Sequence, residues 1–516
     1  MRGTHGVQRL WDLGLLAKDL AVAKRRRRTA NAGVAHRHLV ERLGALHGLP
    51  QKIGQILSLS ELAPTETEAC YTPLTEGEAV LPERVARSIV ERQLGAPVAE
   101  LFREFDGEGI SASIGQVHRA VLLDGRKAAV KVQYPDIDKA LRQDLRALGW
   151  LTAPVGGLIK RGFDLAAYKR EVNRALSEEL DYQHEAEMIR QFSAFTAGWD
   201  AVEVPEVVDT LSTGRVLTMT WVEGDPFPVT GSWPEDVRAE MGTLLLRFFL
   251  RGVLRWGHVH GDPHAGNFRF RIEDGKPVLG VLDFGCVKTL EDPVVDSLAT
   301  LVALAKSGAC RSDPEGVLAA YVGMGFQRDL LAPMADRLPS LTEILFEPFC
   351  ARGPFSMGSW NLAERVADVL DEYRWNFRIA GPADLLFFVR AYQGLVQYLR
   401  ALDAPVDWGM EFEKCWLERV TRAPITRPTP EPRSPMKSEK LCIKVMKGGE
   451  TRVQLTFGAH VAENLGDLIP DDLLAGLRKR NIDVDAIAIE AVRSGFAPGR
   501  LFDLVDGDKR VRVWLE

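Results

Sequence analysis

The chain has 516 residues, of which 46% are hydrophobic, enough for roughly two to four domains with well-packed cores. A formal net charge of -6 supplies no global basic field, so nucleic acid is not an expected partner. Six scattered cysteines without a C-x-x-C pair exclude a zinc ribbon or disulfide framework and fit a reducing compartment.

In chain order, the opening MRGTHGVQRLWDLGLL lacks the layout of a signal peptide, and a cytoplasmic location is expected. Leu10 to Val22 followed by KRRRR at Lys24–Arg28 fits either a solvated basic helix end or peripheral contact with an anionic membrane surface. The most apolar run, Ala147 to Ile159, contains Pro154 and is too short to cross a bilayer.

SASIGQVHRAVLLDGRKAAVKVQY reads as strand, Asp-Gly turn and strand, with Lys131 near its end. The helical stretch EELDYQHEAEM follows, where Asp181 and Glu185 share a face at i,i+4 spacing and Glu179 points elsewhere. Any of these three acids can pair with Lys131. GRVLTMTWVEG reads as a buried strand, and long helical patterns run from Trp233 to Trp256 and from Asp292 onward. Ala423 to Glu439 is rich in proline and charge and reads as a linker. Beyond it, two hairpins and two short helices, Pro470–Arg480 and Val484–Arg493, predict a small α+β domain whose protein partner the sequence does not name.

The strongest signal is HVHGDPHAGNFRFRIEDGKPVLGVLDFG, which carries H-G-D-x-x-x-x-N followed by D-F-G. Phosphoryl transfer needs a carboxylate to accept or orient the acceptor hydroxyl, and oxygen ligands that hold Mg2+ against the phosphates. Asp262 suits the first role; Asn267 and Asp283 suit the second. A turn at Asp274-Gly275 that pairs Glu273 with Lys276 sets Asn267 opposite Leu282, which makes the two metal ligands neighbours. In a kinase-like fold Lys131 then neutralises the ATP phosphates, and Ala112, Ser113, Gly115 and Val117 cover them with one glycine where ordinary kinases have three. Met219 borders adenine, and the backbone from Thr220 to Val222 hydrogen-bonds it.

With KIGQ at Lys52–Gln55, SASIGQVH at Ser111–His118 and EELDYQHEAE at Glu178–Glu187, the chain resembles the UbiB family of atypical kinases, which includes the AarF and ADCK proteins. The resemblance covers roughly residues 51–400. It implies an α+β, protein-kinase-like bilobal fold with an N-terminal helical extension. The expected divisions are an extension at 1–95, an N-lobe at 96–222, a C-lobe at 223–422, the linker at 423–439 and the accessory domain at 440–516. It further implies that Lys52 and Gln55 face the cleft and contact Glu179 and Asp181, that Glu185 pairs with Lys131, and that ATP with Mg2+ is used in isoprenoid-quinone or other lipid metabolism.

Ile110 and Ser111 stand where the family has alanine, and Ala265 where it commonly has proline. Two other readings are a small-molecule phosphotransferase of the aminoglycoside or choline kinase type and a nucleotide-gated scaffold without turnover. KIGQ and SASIGQVH argue against the first. The intact Asp262 argues against the second.

Overall fold

The computed structural model describes residues 81–112, 114–135, 137, 171, 174, 176–421, 438, 440–447, 450–458, 462, 465, 484–494, 496–506 and 509–516. Lys52, Gln55, Ser113, the Lys24–Arg28 run and the helix expected at Pro470–Arg480 lie outside these residues. The chain divides into two compact units, Met1–Ala423 and Pro424–Glu516.

In the first unit, helix α1 (Glu83–Leu94) starts after Pro82 and stops at Gly95, whose φ of 76° is the left-handed conformation that ends helices. Next come β1 (Phe102–Phe105), β2 (Ile110–Ser111), β3 (Gly115–Leu122), β4 (Lys127–Gln133), helix α2 (Tyr182–Thr196), β5 (Val202–Glu203) and β6 (Val216–Thr220). Strands β1-β3-β4-β6 form one antiparallel sheet, with β2 paired to β3. The apolar alternation of β3 and the continuous apolar run of β4 bury one face of this sheet against Ile89 and Val90 of α1.

Helix α3 (Glu235–Leu250) opens after Pro234 with two acidic residues and runs into a π-helical turn, Arg251–Trp256. Such wide turns concentrate at functional sites, and this one delivers the chain through Gly257 to β7 (His258–His260). The hairpin of β8 (Phe268–Glu273) and β9 (Lys276–Val281) follows, with β5 parallel to β9, and then β10 (Val287–Thr289) pairs with β7. Helices α4 (Asp292–Ser307), α5 (Pro314–Gly323), α6 (Leu338–Leu345), α7 (Leu362–Leu370), α8 (Leu386–Leu402) and α9 (Trp408–Thr421) complete the unit. Leucines and aromatics of α4 to α7 close around Leu331, Met334 and Leu341 in a core of their own. The result is an α+β, protein-kinase-like fold with a small sheet lobe and a larger helical lobe.

In the second unit, β11 (Lys440–Lys447), β12 (Glu450–Gly458), β13 (Gly499–Asp506) and β14 (Lys509–Leu515) form a four-stranded antiparallel sheet in the order β12-β11-β14-β13. Alternate residues Leu441, Ile443, Val511 and Val513 bury one face against helix α10 (Val484–Arg493), which occupies the residues that the apolar spacing predicts. Among the described residues, no helix is long and apolar enough to cross a membrane.

Candidate active site

The β8–β9 hairpin has the register that its turn dictates. Asp274 and Gly275 take φ of 50° and 77°, the paired positive values of a type I′ turn, and Glu273 pairs with Lys276. The ladder runs to Phe268 opposite Val281. It closes with the Leu282 amide donating to the Asn267 carbonyl at 2.9 Å, so Asn267 and Asp283 stand side by side at the mouth of the hairpin.

Lys131 lies on β4 opposite Val117 on one side and Leu217 on the other. Its Nζ donates to Glu185 Oε1 at 2.5 Å and to Asp283 Oδ2 at 2.8 Å. One ammonium therefore ties β4, α2 and the D-F-G segment together. Against the cost of burial, the two carboxylates raise the Lys131 pKa, so this lysine is charged. The carboxylates differ. For Asp283, burial is outweighed by Lys131 and by the Gly285 amide, which donates to Oδ1 at 3.0 Å, and its pKa is lowered. For Glu185, burial prevails over the pull of Lys131, Asp283 adds repulsion, and the pKa is pushed up to about 7. The first proton taken up by this triad goes to Glu185.

The acids around Lys131 divide in a way that the i,i+4 spacing does not indicate. Helix α2 begins at Tyr182, and exposed Asp181 is its N-cap, accepting from the Gln183 amide at 3.0 Å. Asp181 and Glu185 therefore do not share a helical face. Glu179 is buried in the preceding turn, close enough to the D-F-G glycine that a Cβ at Gly285 would meet Glu179 Cγ at 3.8 Å.

Gly115 answers a packing need. A Cβ there would stand 2.3 Å from the Val132 carbonyl oxygen and 2.9 Å from the Tyr182 hydroxyl. The Ala112 amide donates to the Gly115 carbonyl at 2.9 Å, which makes the turn between β2 and β3. Gln116 and His118 point to the sheet face opposite Val117. Gln116 Oε1 accepts from the Leu81 amide at 2.7 Å, its Nε2 lies 2.7 Å from His118 Nε2, and His118 Nδ1 lies 2.8 Å from the Asp106 carbonyl. These two motif residues brace the lobe rather than line the cleft. On the cleft side, Met219 lies on β6 opposite Ala129, and Thr220 and Val222 lead out of the strand.

The H-G-D loop is held by partners that sequence reasoning did not single out. His260 Nε2 donates to the Asp283 carbonyl at 2.5 Å, and burial lowers the His260 pKa and keeps the ring neutral. Phe284 packs against Phe192 of α2 with ring centroids 4.9 Å apart. Helix α8 contributes three residues at i, i+4 and i+8. Arg390 Nη2 pairs with Asp262 Oδ1, a Cβ at Gly394 would meet Pro263 Cβ at 2.1 Å, and the Tyr398 hydroxyl donates to the Pro263 carbonyl at 2.8 Å. The sequence signal for this role is a single charged residue, Arg390, inside the otherwise uncharged LFFVRAYQGLVQYL. Asn267 Nδ2 donates to the Asp262 carbonyl at 3.2 Å, which leaves its amide oxygen for a metal.

The described geometry is a lysine–carboxylate triad facing a loop that carries a held aspartate and an asparagine. Residues 74–312 match the family model described as the ABC1 atypical kinase-like domain. The chain is 28% identical over 382 residues to the atypical kinase coq-8, mitochondrial, of Caenorhabditis elegans, covering 73% of this chain and 50% of that protein. It is 26% identical over 391 residues to the atypical kinase COQ8, mitochondrial, of Saccharomyces cerevisiae, covering 74% and 76%. It is 32% identical over 305 residues to the protein ACTIVITY OF BC1 COMPLEX KINASE 1, chloroplastic, of Arabidopsis thaliana, covering 56% and 43%. The chain thus spans about half the length of the worm protein. Among solved structures, the Rv3197–erythromycin complex from Mycobacterium tuberculosis superposes with a TM-score of 0.53 at 29% identity, over 77% of this chain and 98% of that one. Residues 74–312 thus form an ABC1 atypical kinase-like domain similar to the COQ8 atypical kinases, and the Lys131–Glu185–Asp283 triad and the H-G-D loop lie in it.

Proposed function

We propose that this protein binds Mg-ATP in the cleft between the β3–β4 sheet and the H-G-D loop, and hydrolyses it or transfers its γ-phosphate in isoprenoid-quinone or other lipid metabolism. The observation that carries the reading is the Lys131 ammonium held between Glu185 and Asp283, opposite a loop where Asp262 and Asn267 are joined by a hydrogen bond.

Lys131 neutralises the α- and β-phosphates, and Glu185 holds it in place. Asp262, oriented by Arg390, accepts the proton of the attacking hydroxyl or water. Asn267 and Asp283 offer hard oxygen donors, a set that suits Mg2+, which uses few protein ligands and completes its shell with phosphates and water. When bound there, the ion supplies charge neutralisation at the transferring phosphoryl group. Ala112, Ser113, Gly115 and Val117 cover the nucleotide, Met219 borders the base, and the backbone from Thr220 to Val222 reads its edge. In this reading Lys52 and Gln55 of the extension gate the cleft against Glu179 and Asp181.

The divisions at 1–95, 96–222, 223–422, 423–439 and 440–516 belong to the same proposal. A cytoplasmic protein with peripheral membrane contact through Lys24–Arg28 fits the lipid assignment, which comes from the relatives' names and from the family resemblance. The test is steady-state ADP release from Mg-ATP by wild type, Asp262→Asn and Lys52→Ala, with and without anionic liposomes. Loss of turnover in Asp262→Asn and altered turnover in Lys52→Ala are expected. Undiminished turnover in Asp262→Asn sinks the assignment.

A further inference from the structure

We propose that Arg269, backed by Arg119, is the base-selecting residue of the cleft and that it admits guanosine nucleotides beside adenosine nucleotides. This inference rests on the reading of the cleft as a nucleotide site.

The rows of the sheet show where a base would lie. Val117, Lys131 and Leu217 form one cross-strand row, and Arg119, Ala129 and Met219 form the row two residues along. Paired residues share a face, and positions two apart share it again. The first row carries the ammonium that meets phosphates, so the second row, with Ala129 and Met219, roofs the base, and Arg119 stands at its edge. Arg119 stacks on Trp221, which follows β6 directly, with its guanidinium 4.8 Å from the ring centroid.

Arg269 supplies the floor. On β8, Phe268 and Phe270 are buried towards Tyr398 of α8, so Arg269 between them faces the other way. Its Cβ lies under the segment that follows β6: a Cβ at Gly224 would sit 3.0 Å from it, and one at Gly280 would meet both Arg269 Cβ and Val222 Cγ1. Arg269 is two residues past Asn267, just as the Ala129 row is one step from the Lys131 row. The base floor therefore sits on β8 and the proposed metal ligand directly precedes it.

The state of this arginine points to a missing partner. Its neighbour on the same face, Arg271, is ion-paired with Glu203 and Glu273. Among the described residues no carboxylate pairs with Arg269, which uses one nitrogen, Nη1, on the carbonyls of Gly266 and Phe268. Burial and the nearby Arg119 charge both lower its pKa, and its remaining guanidinium nitrogens have no protein acceptor among the described residues. The triphosphate is held one row away at Lys131, so what remains to meet this guanidinium is the base. A flat cation under a flat ring is a favourable cation–π stack. Among the bases guanine is the most electron-rich, whereas an aliphatic floor would give no electrostatic preference between purines.

The experiment is calorimetric titration of the full chain with MgADP, MgGDP and MgCDP, for wild type, Arg269→Leu and Arg269→Lys, with thermal melts to confirm folding. Wild type is expected to bind GDP within about threefold of ADP, or tighter, and CDP at least about tenfold more weakly, since a smaller ring gives a poorer stack. Arg269→Leu should weaken GDP about tenfold and ADP less than about threefold. Arg269→Lys, which keeps the charge without the plane, should follow Arg269→Leu. Equal changes for ADP and GDP, or wild-type GDP binding more than about tenfold weaker than ADP, overturn the inference. If ADP and GDP bind equally tightly in all three proteins, the cleft binds nucleotide but Arg269 does not select the base. If no nucleotide binds to any of them, the nucleotide reading fails, and the inference with it.

Discussion

Arg390 and Asp262, 128 residues apart in sequence, meet in an ion pair in which both side chains are mostly withdrawn from solvent. The guanidinium comes from the middle of an apolar helix, and the carboxylate is the acid of H-G-D. Removing one member of such a pair strands the other charge. Arg390→Met is expected to lower turnover about 100-fold and cost about 3 kcal/mol of stability, while the Kd for ADP moves less than about threefold. Arg390→Lys should recover part of the stability and less of the kcat, because a lysine cannot reproduce the fork. Paired kinetics and calorimetry check this; equal losses in kcat and ADP affinity would place Arg390 in nucleotide binding instead.

Gly394 offers a second way to disturb the same loop without touching a charge. The methyl group of Gly394→Ala must displace Pro263, whose Cβ it would approach to 2.1 Å. Overpacking of this kind costs about 1–3 kcal/mol. The displaced residue directly follows Asp262, so turnover should fall by about tenfold or more while ADP binding is preserved. A melt together with steady-state kinetics separates these effects.

The pH dependence follows from Glu185, whose carboxyl is pushed up to about 7 from an ordinary 4.5. An acid with a raised folded-state pKa holds its proton longer in the folded protein than in the unfolded chain. This group therefore withdraws stability as pH rises from about 4.5 to 7, and contributes no such slope outside that window. Activity runs the other way, because the charged Lys131–Glu185 pair forms only as Glu185 ionises. Turnover at pH 6 should be roughly tenfold below its plateau at pH 8. Glu185→Gln should flatten that acid limb at a lower plateau. A limb that persists in Glu185→Gln assigns it to another group.

Gln116 is the control. Gln116→Ala leaves the Leu81 amide and His118 Nε2 without their partner, at a cost of about 2 kcal/mol. Since the side chain lies on the sheet face away from Lys131, the ADP affinity should stay within about twofold of wild type. A denaturant melt and one titration decide it.

The hairpin of β8 and β9 was readable from sequence because Asp274-Gly275 allows essentially one turn, and one turn fixes every later pair. The pairing of Lys131 with Glu185 was readable only through family resemblance: the stretch EELDYQHEAEM has five acids, and spacing alone left Glu179, Asp181 and Glu185 all open. The answer lay in the N-cap at Asp181, and a cap is defined by backbone angles rather than by composition. Gln116 and His118 belong to the SASIGQVH motif and interleave with Val117, yet alternate strand residues serve opposite faces. Arg390 was hidden for another reason. Its helix carries a core pattern, and nothing local states that the core it faces is the back of the H-G-D loop.

The proposed metal ligands are set by a ruler whose zero mark lies elsewhere. Asn267 and Asp283 are adjacent because six ladder pairs count outward from a solvent-exposed turn, and a β register advances only in whole residues. Lengthening or shortening that tip by one residue would invert which side chains face the cleft, exchanging Asn267 and Arg269 for phenylalanines. The most exposed point of the hairpin is therefore as unforgiving of length change as the site itself, and tolerates variation only in residues that can still turn in two steps.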